Sequence, residues 1–127
     1  MRKTDVSDHS LQYSITDLVI ESIQDKKGED IVVLDLRNVM DTVSNQFIIC
    51  QGDATTQVRA IANHIMHTVA DETGERPYSS EGMDHCEWVL IDYIDVVVHI
   101  FTREKRDFYQ LEDLWHDAVI EWIPNIN

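Results

Sequence analysis

The segment Trp88–Phe101, reading Trp-Val-Leu-Ile-Asp-Tyr-Ile-Asp-Val-Val-Val-His-Ile-Phe, restricts what this chain can fold into more than any other stretch. It holds two short runs rich in Val and Ile, interrupted once by Asp92-Tyr93-Ile94-Asp95. β-Branched and aromatic residues in runs of this length favour strands, so the segment is read as a β-hairpin. With Tyr93 and Ile94 as the loop, Asp92 faces Asp95, Ile91 faces Val96, Leu90 faces Val97, Val89 faces Val98 and Trp88 faces His99. Side chains alternate between the two sides of a strand, which sorts the hairpin into two faces. One carries Val89, Ile91, Val96, Val98 and Ile100 and is core. The other carries Trp88, Leu90, Asp92, Asp95, Val97, His99 and Phe101. It is too polar at one end for plain core and too aromatic for plain surface, and it is read as a binding face.

Two features of that face need a cause. Like charges directly opposite one another destabilise a hairpin by some tenths of a kcal/mol unless a cation lies near both. Tyr-Ile is also a poor two-residue loop, because the favoured turns need positive φ, which Gly or Asn supplies. A longer loop would shift the pairing. The plain alternative is that Asp92 and Asp95 cap a solvated turn.

A chain of 127 residues is a single domain that can bury a core without staples. The formal charge of −14 sets the overall field against nucleic-acid phosphates, so direct contact with nucleic acid is expected to be small. Such a protein can still enter a nucleoprotein complex through one of its basic proteins. Cys50 and Cys86 sit in or beside apolar runs and read as buried thiols of a reducing compartment. The N-terminal ten residues lack the apolar run of a signal peptide, and no stretch approaches the roughly 20 apolar residues of a membrane span. A cytoplasmic location follows as the expectation.

In chain order, residues 1–13 are polar and aperiodic and are read as a flexible segment. Ser14-Ile-Thr-Asp17 resembles a capping box. Ile15, Leu18, Val19 and Ile23 follow at helical spacing, with Gly28 as the C-terminal cap. Ile31–Leu36 and Phe47–Cys50 read as buried strands, and Arg37–Gln46 between them has no assignable pattern. Asp53 is the expected N-cap of the most regular helix, in which Val58, Ile61, Ala62, Ile65, Met66 and Val69 share a face and Thr73-Gly74 ends the run. Arg76–Ser79 can form a short edge strand that tolerates Pro77. After the hairpin a last helix opens at Thr102, with Phe108, Leu111, Leu114 and Trp115 on one face. Residues 118–127 show no clear pattern. Helix, two strands, helix, two or three strands and helix make a single α+β domain in which a mixed sheet is packed with helices.

Catalytic and metal motifs are weak. His64 and His67 lie opposite the apolar stripe of their helix and lack a third ligand. His85-Cys86 has no partner pair. In the pairing above His99 lies on the order of 13 Å from the aspartates, too far to share a proton. Gly52-Asp53 precedes a helix, but it has one glycine, no following Lys, and an acid that repels anions. No cofactor, metal site or catalytic residue is implied.

The Trp-Val-Leu-Ile-Asp-Tyr-Ile-Asp-Val-Val-Val-His-Ile-Phe block and the following Arg106-Asp-Phe-Tyr-Gln-Leu-Glu-Asp-Leu-Trp115 together resemble the ribosomal silencing factors, the Iojap-like proteins of bacteria and organelles. The likeness runs back through Glu81-Gly82, Gln57–Ala62 and Phe47–Cys50 to Leu34-Asp35-Leu36. It places the family domain at 14–117, with 118–127 as an extension. The resemblance implies a mixed sheet of about five strands, distantly like the nucleotidyltransferase topology, and a protein that is not an enzyme. It further implies binding to a basic protein, number fourteen of the large ribosomal subunit, obstruction of subunit joining, and lowered translation when nutrients are short. A homodimer stays open.

By position the resemblance makes Trp88, Asp92, Asp95 and His99 the partner-binding candidates on the hairpin, with Arg106 and Tyr109 from the closing block. Phe108, Leu111, Leu114 and Trp115 read as core, and Arg106 and Glu112 as either an ion pair or partner contacts. The alternative function, by fold analogy, is a nucleotidyltransferase-like enzyme using Asp92 and Asp95. The chain departs from the family in carrying Ile94 where Gly usually separates the paired acids, and Asn45-Gln46 where an acid and an aromatic often stand.

Overall fold

The computed structural model describes residues 14–37, 45–109 and 118–126, without the side chains of Phe108 and Tyr109. The expectations for residues 1–13, for most of Arg37–Gln46 and for Leu111, Glu112, Leu114 and Trp115 lie outside the described residues. Within them the elements run α1 (Ile15–Asp25), β1 (Glu29–Asp35), β2 (Gln46–Gly52), α2 (Thr55–Thr73), β3 (Ser79–Glu81), β4 (Trp88–Asp92), β5 (Val96–Thr102), α3 (Arg103–Tyr109) and β6 (Val119–Ile123). The six strands form one mixed sheet in the order β3-β4-β5-β2-β1-β6. Only β2 and β5 run parallel, and α2 lies in the crossover between them. The expected α+β class with a mixed sheet is the fold observed. The sheet has one strand more than the resemblance implied, because β6 comes from the segment read as a patternless extension and pairs antiparallel with β1.

Each face of the sheet has its own core. On the first, Ile31, Val33, Ile48, Cys50, Val89, Ile91, Val96, Val98 and Ile100 pack beneath Leu18, Val19 and Ile23 of α1 and Val58, Ile61, Ala62, Ile65 and Val69 of α2. These are the helical stripe and the hairpin face that periodicity selects. On the second face Val32, Leu34, Leu36, Ile49 and Phe101 are fully buried, with Phe47, Trp88 and Ala118 packed against them. Burial on both sides explains why β1, β2 and β5 are nearly continuous apolar runs.

The helix ends show where local signals prevail and where they do not. Ser14 caps α1 as expected, its hydroxyl accepting the Asp17 N–H at 3.0 Å. Gly74, at φ 78°, ends α2 as expected. At the end of α1, however, the left-handed residue is Lys27 (φ 64°) and not Gly28. Gly28 serves packing instead, since a Cβ there would lie 2.4 Å from Ile23 Cγ2. Asp53 does not cap α2. The N-cap is Ala54, without a side-chain bond, while the Asp53 carboxylate pairs with Arg103 and its N–H donates to Gln57 Oε1 at 2.7 Å. A cation brought from fifty residues away outcompetes the local capping bond. The edge strand falls slightly later than Arg76–Ser79, at Ser79–Glu81.

Val98 is fully buried between β4 and β2 on the helix face. Val98→Asp places an unpaired charge there and is expected to destabilise the domain by about 4 kcal/mol or more, read as a collapsed thermal midpoint.

Candidate functional site

The hairpin forms, but with a longer loop than Tyr93-Ile94. Asp92 pairs with Val97, Ile91 with Val98, Leu90 with His99, Val89 with Ile100 and Trp88 with Phe101. Asp92 therefore does not face Asp95, and no like-charged cross-strand pair exists at the tip. The two faces nevertheless keep their predicted membership. Each residue of β4 meets a partner two positions further along β5 than in the tighter hairpin, and a shift of two leaves the alternation of sides intact.

The tip is built by its own backbone and one core ring. Tyr93 turns inward, only 7% exposed, and joins the core under the helices. Asp92 Oδ1 accepts the Ile94 N–H at 2.7 Å, and Tyr93 N–H donates to the Val96 carbonyl at 2.9 Å. The Asp95 carbonyl accepts the N–H groups of Asn45 (2.8 Å) and Gln46 (3.1 Å), which ties the tip to the start of β2. Asp92 is thus a turn cap, and the exposed Asp95 carboxylate is held by its anchored backbone. Ile94 sits at φ 76° and is 56% exposed. A β-branched residue in the left-handed region is strained, which is the physical reason a glycine suits this position.

The second face is where the aromatic residues gather. Strand register sets Leu90, His99, Ile49, Val32 and Trp122 in one row across the sheet. The next row is Asp92, Val97, Phe47, Leu34 and Ile120, and a third begins Trp88, Phe101, Gln51. Trp88 is half-buried and stacks on Phe101, with ring centroids 5.0 Å apart and planes 23° from parallel. Its indole Nε1–H donates to His99 Nδ1 at 3.1 Å. Phe47 meets the same imidazole at 4.8 Å, tilted by 58°. Cross-strand aromatic pairs of this kind contribute roughly 0.5–1.5 kcal/mol each beyond area burial.

His99 is only 4% exposed, so its side chain offers no surface for a partner. Burial disfavours the imidazolium and lowers its pKa from the ordinary 6.5 to about 4. Because Nδ1 accepts from Trp88, the ring proton of the neutral imidazole must sit on Nε2, which is buried and has no partner among the described residues.

Arg106 is also buried, at 5% exposure. Its Nη1 donates to the Asp30 carbonyl and lies 3.5 Å from Gln51 Oε1, fastening α3 to β1 and β2. Any effect of His99 or Arg106 on a partner must act through neighbours. The side chain of Tyr109 lies outside the described residues. Among the described residues no three His, Cys, Asp or Glu side chains cluster as a metal site, and burial pushes the Cys50 thiol up to about 12. No helix of the described residues is long and apolar enough to cross a membrane.

Ile120 and Trp122, 41% and 60% exposed, occupy the same face as Trp88 and were not among the candidates. The five-residue run Val-Ile-Glu-Trp-Ile is the composition of a short strand and could have exposed them.

This arrangement defines an α+β domain with an aromatic sheet face and an acidic hairpin tip. The family model described as "Ribosomal silencing factor during starvation" matches residues 8–127. A Bacillus subtilis protein named ribosomal silencing factor RsfS is 43% identical over 107 residues, covering 84% of this chain and 89% of that one. A chloroplast protein of Zea mays named Iojap is 33% identical over 101 residues, 77% of this chain and 42% of its own length. The crystal structure of a Chromobacterium violaceum protein superposes with a TM-score of 0.76 at 37% identity, covering 80% of this chain and 83% of that one. The chain belongs to the ribosomal silencing factor family.

Ile94→Gly is expected to raise stability by about 0.5–1 kcal/mol, the relief of left-handed strain exceeding the entropy added to the unfolded chain; chemical denaturation checks it. The pH dependence carries the signature of His99. As pH falls through about 6.5 the unfolded chain takes up a proton that the folded chain refuses until about 4. Stability is therefore full above that window and declines across it by about 3 kcal/mol. His99→Leu should remove that share of the decline, measured as the difference between the two proteins' unfolding free energies from pH 7 to pH 4.

Proposed function

We propose that the chain restrains translation by docking the Trp88 face and the hairpin tip on basic protein number fourteen of the large ribosomal subunit, obstructing subunit joining when nutrients are short. The observation that carries this reading is a single sheet face that holds half-buried Trp88 at one end of β4 and the acidic tip of Asp92 and Asp95 at the other, and that also exposes Ile120 and Trp122. A fixed aromatic surrounded by apolar area is the usual centre of a protein interface, and acids at its edge favour a basic partner. The net charge of −14 makes rRNA phosphate a poor direct ligand, which directs the attraction to protein. Blocking by bulk requires affinity and position and no reacting group. The relatives are named as silencing factors, which supports a regulator without catalysis.

Sedimentation with purified subunits tests the reading. The protein should migrate with free large subunits and not with small ones, and raised salt should slow association more than dissociation. Co-migration with small subunits alone would overturn it. Trp88→Ala should weaken large-subunit binding by roughly 2 kcal/mol or more while the domain stays folded.

The acids are best tested by Asp92→Asn combined with Asp95→Lys. Asn keeps an acceptor for the Ile94 N–H, so the turn persists while the charge is lost and then reversed. Binding to large subunits should fall at least tenfold with an unchanged melting midpoint, as expected when a charge-assisted contact becomes repulsive. Unchanged binding would confine the contact to the sheet face.

A further inference from the structure

We propose that His99 governs partner binding from beneath the surface, as the acceptor that fixes the orientation of the Trp88 indole; this rests on the docking reading above. Four observations converge on it. Trp88 is half-buried at the end of β4, with one face on Phe101 and its Nε1–H on His99 Nδ1 at 3.1 Å. His99 is itself wedged against Phe47 and carried by β5, whose neighbours β4 and β2 are paired along its length. The acceptor therefore cannot follow the indole if the indole swings. Its second nitrogen, Nε2, is a buried donor with no partner among the described residues.

An imidazole is a poor residue for that place on stability grounds alone. A leucine would bury more apolar area, carry no unsatisfied donor and take up no proton in the unfolded state. What the imidazole supplies, and an apolar side chain does not, is an acceptor for the Trp88 N–H. Without it the indole would bury a bare donor or rotate to expose it to water. Either change alters the aromatic edge that a partner meets. An interface anchor fixed in its bound rotamer loses less freedom on association, so the hydrogen bond reaches affinity through preorganisation. His99 is thus a positioning residue, and the tautomer with the proton on Nε2 is the one that does this work.

Asparagine and leucine separate positioning from packing. They are nearly the same size and shape, and the Oδ1 of Asn falls near the place of His Nδ1, so only His99→Asn retains an acceptor. A packing role predicts that His99→Leu matches or exceeds His99→Asn in every assay, because the site is apolar. Positioning predicts a crossed result. His99→Leu should be the more stable on melting, yet the Trp88 indole N–H, assigned with Trp88→Phe, should exchange with water at least tenfold faster than in the parent protein. Its dissociation constant for large subunits should rise about tenfold, the size of one neutral hydrogen bond. His99→Asn should keep slow indole exchange and stay within about threefold of the parent in binding.

Combining His99→Leu with Trp88→Ala should add nothing to the binding loss of Trp88→Ala alone, since the effect passes through the indole. Parent-like binding by His99→Leu, or equal losses in the Leu and Asn variants, overturns the proposal while leaving the docking reading in place. Failure of the parent protein itself to bind large subunits overturns the docking reading, and the indole exchange rates still decide whether His99 holds Trp88.

Discussion

The structure depends on β5 being dry on both sides. Val96, Val98 and Ile100 face the helices, while Val97, His99 and Phe101 face the second core, and every residue from Val96 to Phe101 is buried. A strand with no solvated side must be covered by two layers, so the parallel partner β2 and the antiparallel partner β4 are held in a single register from both directions. The crossover through α2 that places β2 beside β5 supplies one layer directly. β3 and β1 then pair with its two neighbours, and β6 extends the sheet one strand further by pairing with β1.

Burial at the centre has consequences for chemistry at the margin. The same desolvation that makes β5 a core strand keeps the His99 imidazole neutral across the physiological range. A charged imidazolium could not accept the indole N–H at Nδ1. The low dielectric that penalises His99 as a core residue therefore also keeps it an acceptor, and the indole it holds is the half-exposed end of the second core. Interior and candidate interface are one continuous aromatic cluster, from Phe47 through His99 and Phe101 to Trp88.

Charge is distributed differently. Arg103 binds both Glu29 and Asp53, and Arg37 pairs with Asp35, so part of the small complement of cations is engaged within the chain. At the hairpin tip, Asp92 is occupied by a backbone N–H, and the Asp95 backbone is anchored while its carboxylate is exposed. A rigid tip with a fixed negative charge fits a partner with a fixed positive one. Family membership supplies the ribosome as the setting, and the tip and the Trp88 face are the surface proposed for docking there.

The two faces of the domain follow from the order of its residues alone. Alternation over Trp88–Phe101 and the helical stripe of α2 assign core and candidate surface without any coordinate, and they survive the loop error because strand periodicity is two and the register moved by two. Ser14 and Gly74 were legible for the same local reason: a cap needs only its own few residues. Everything that hangs on a distant partner was not. Asp53 looks like an N-cap until Arg103 arrives from the far side of the chain. Arg106 and His99 look like surface chemistry until α3 and the neighbouring strands enclose them. The composition of β6, Val-Ile-Glu-Trp-Ile, is that of a strand, but its place in the sheet is set by the edge that β1 offers about ninety residues away, which no run of consecutive residues shows. Local hydrogen bonds and side-chain period are written in consecutive residues, whereas burial and ion pairing are set by whichever residues the fold brings alongside.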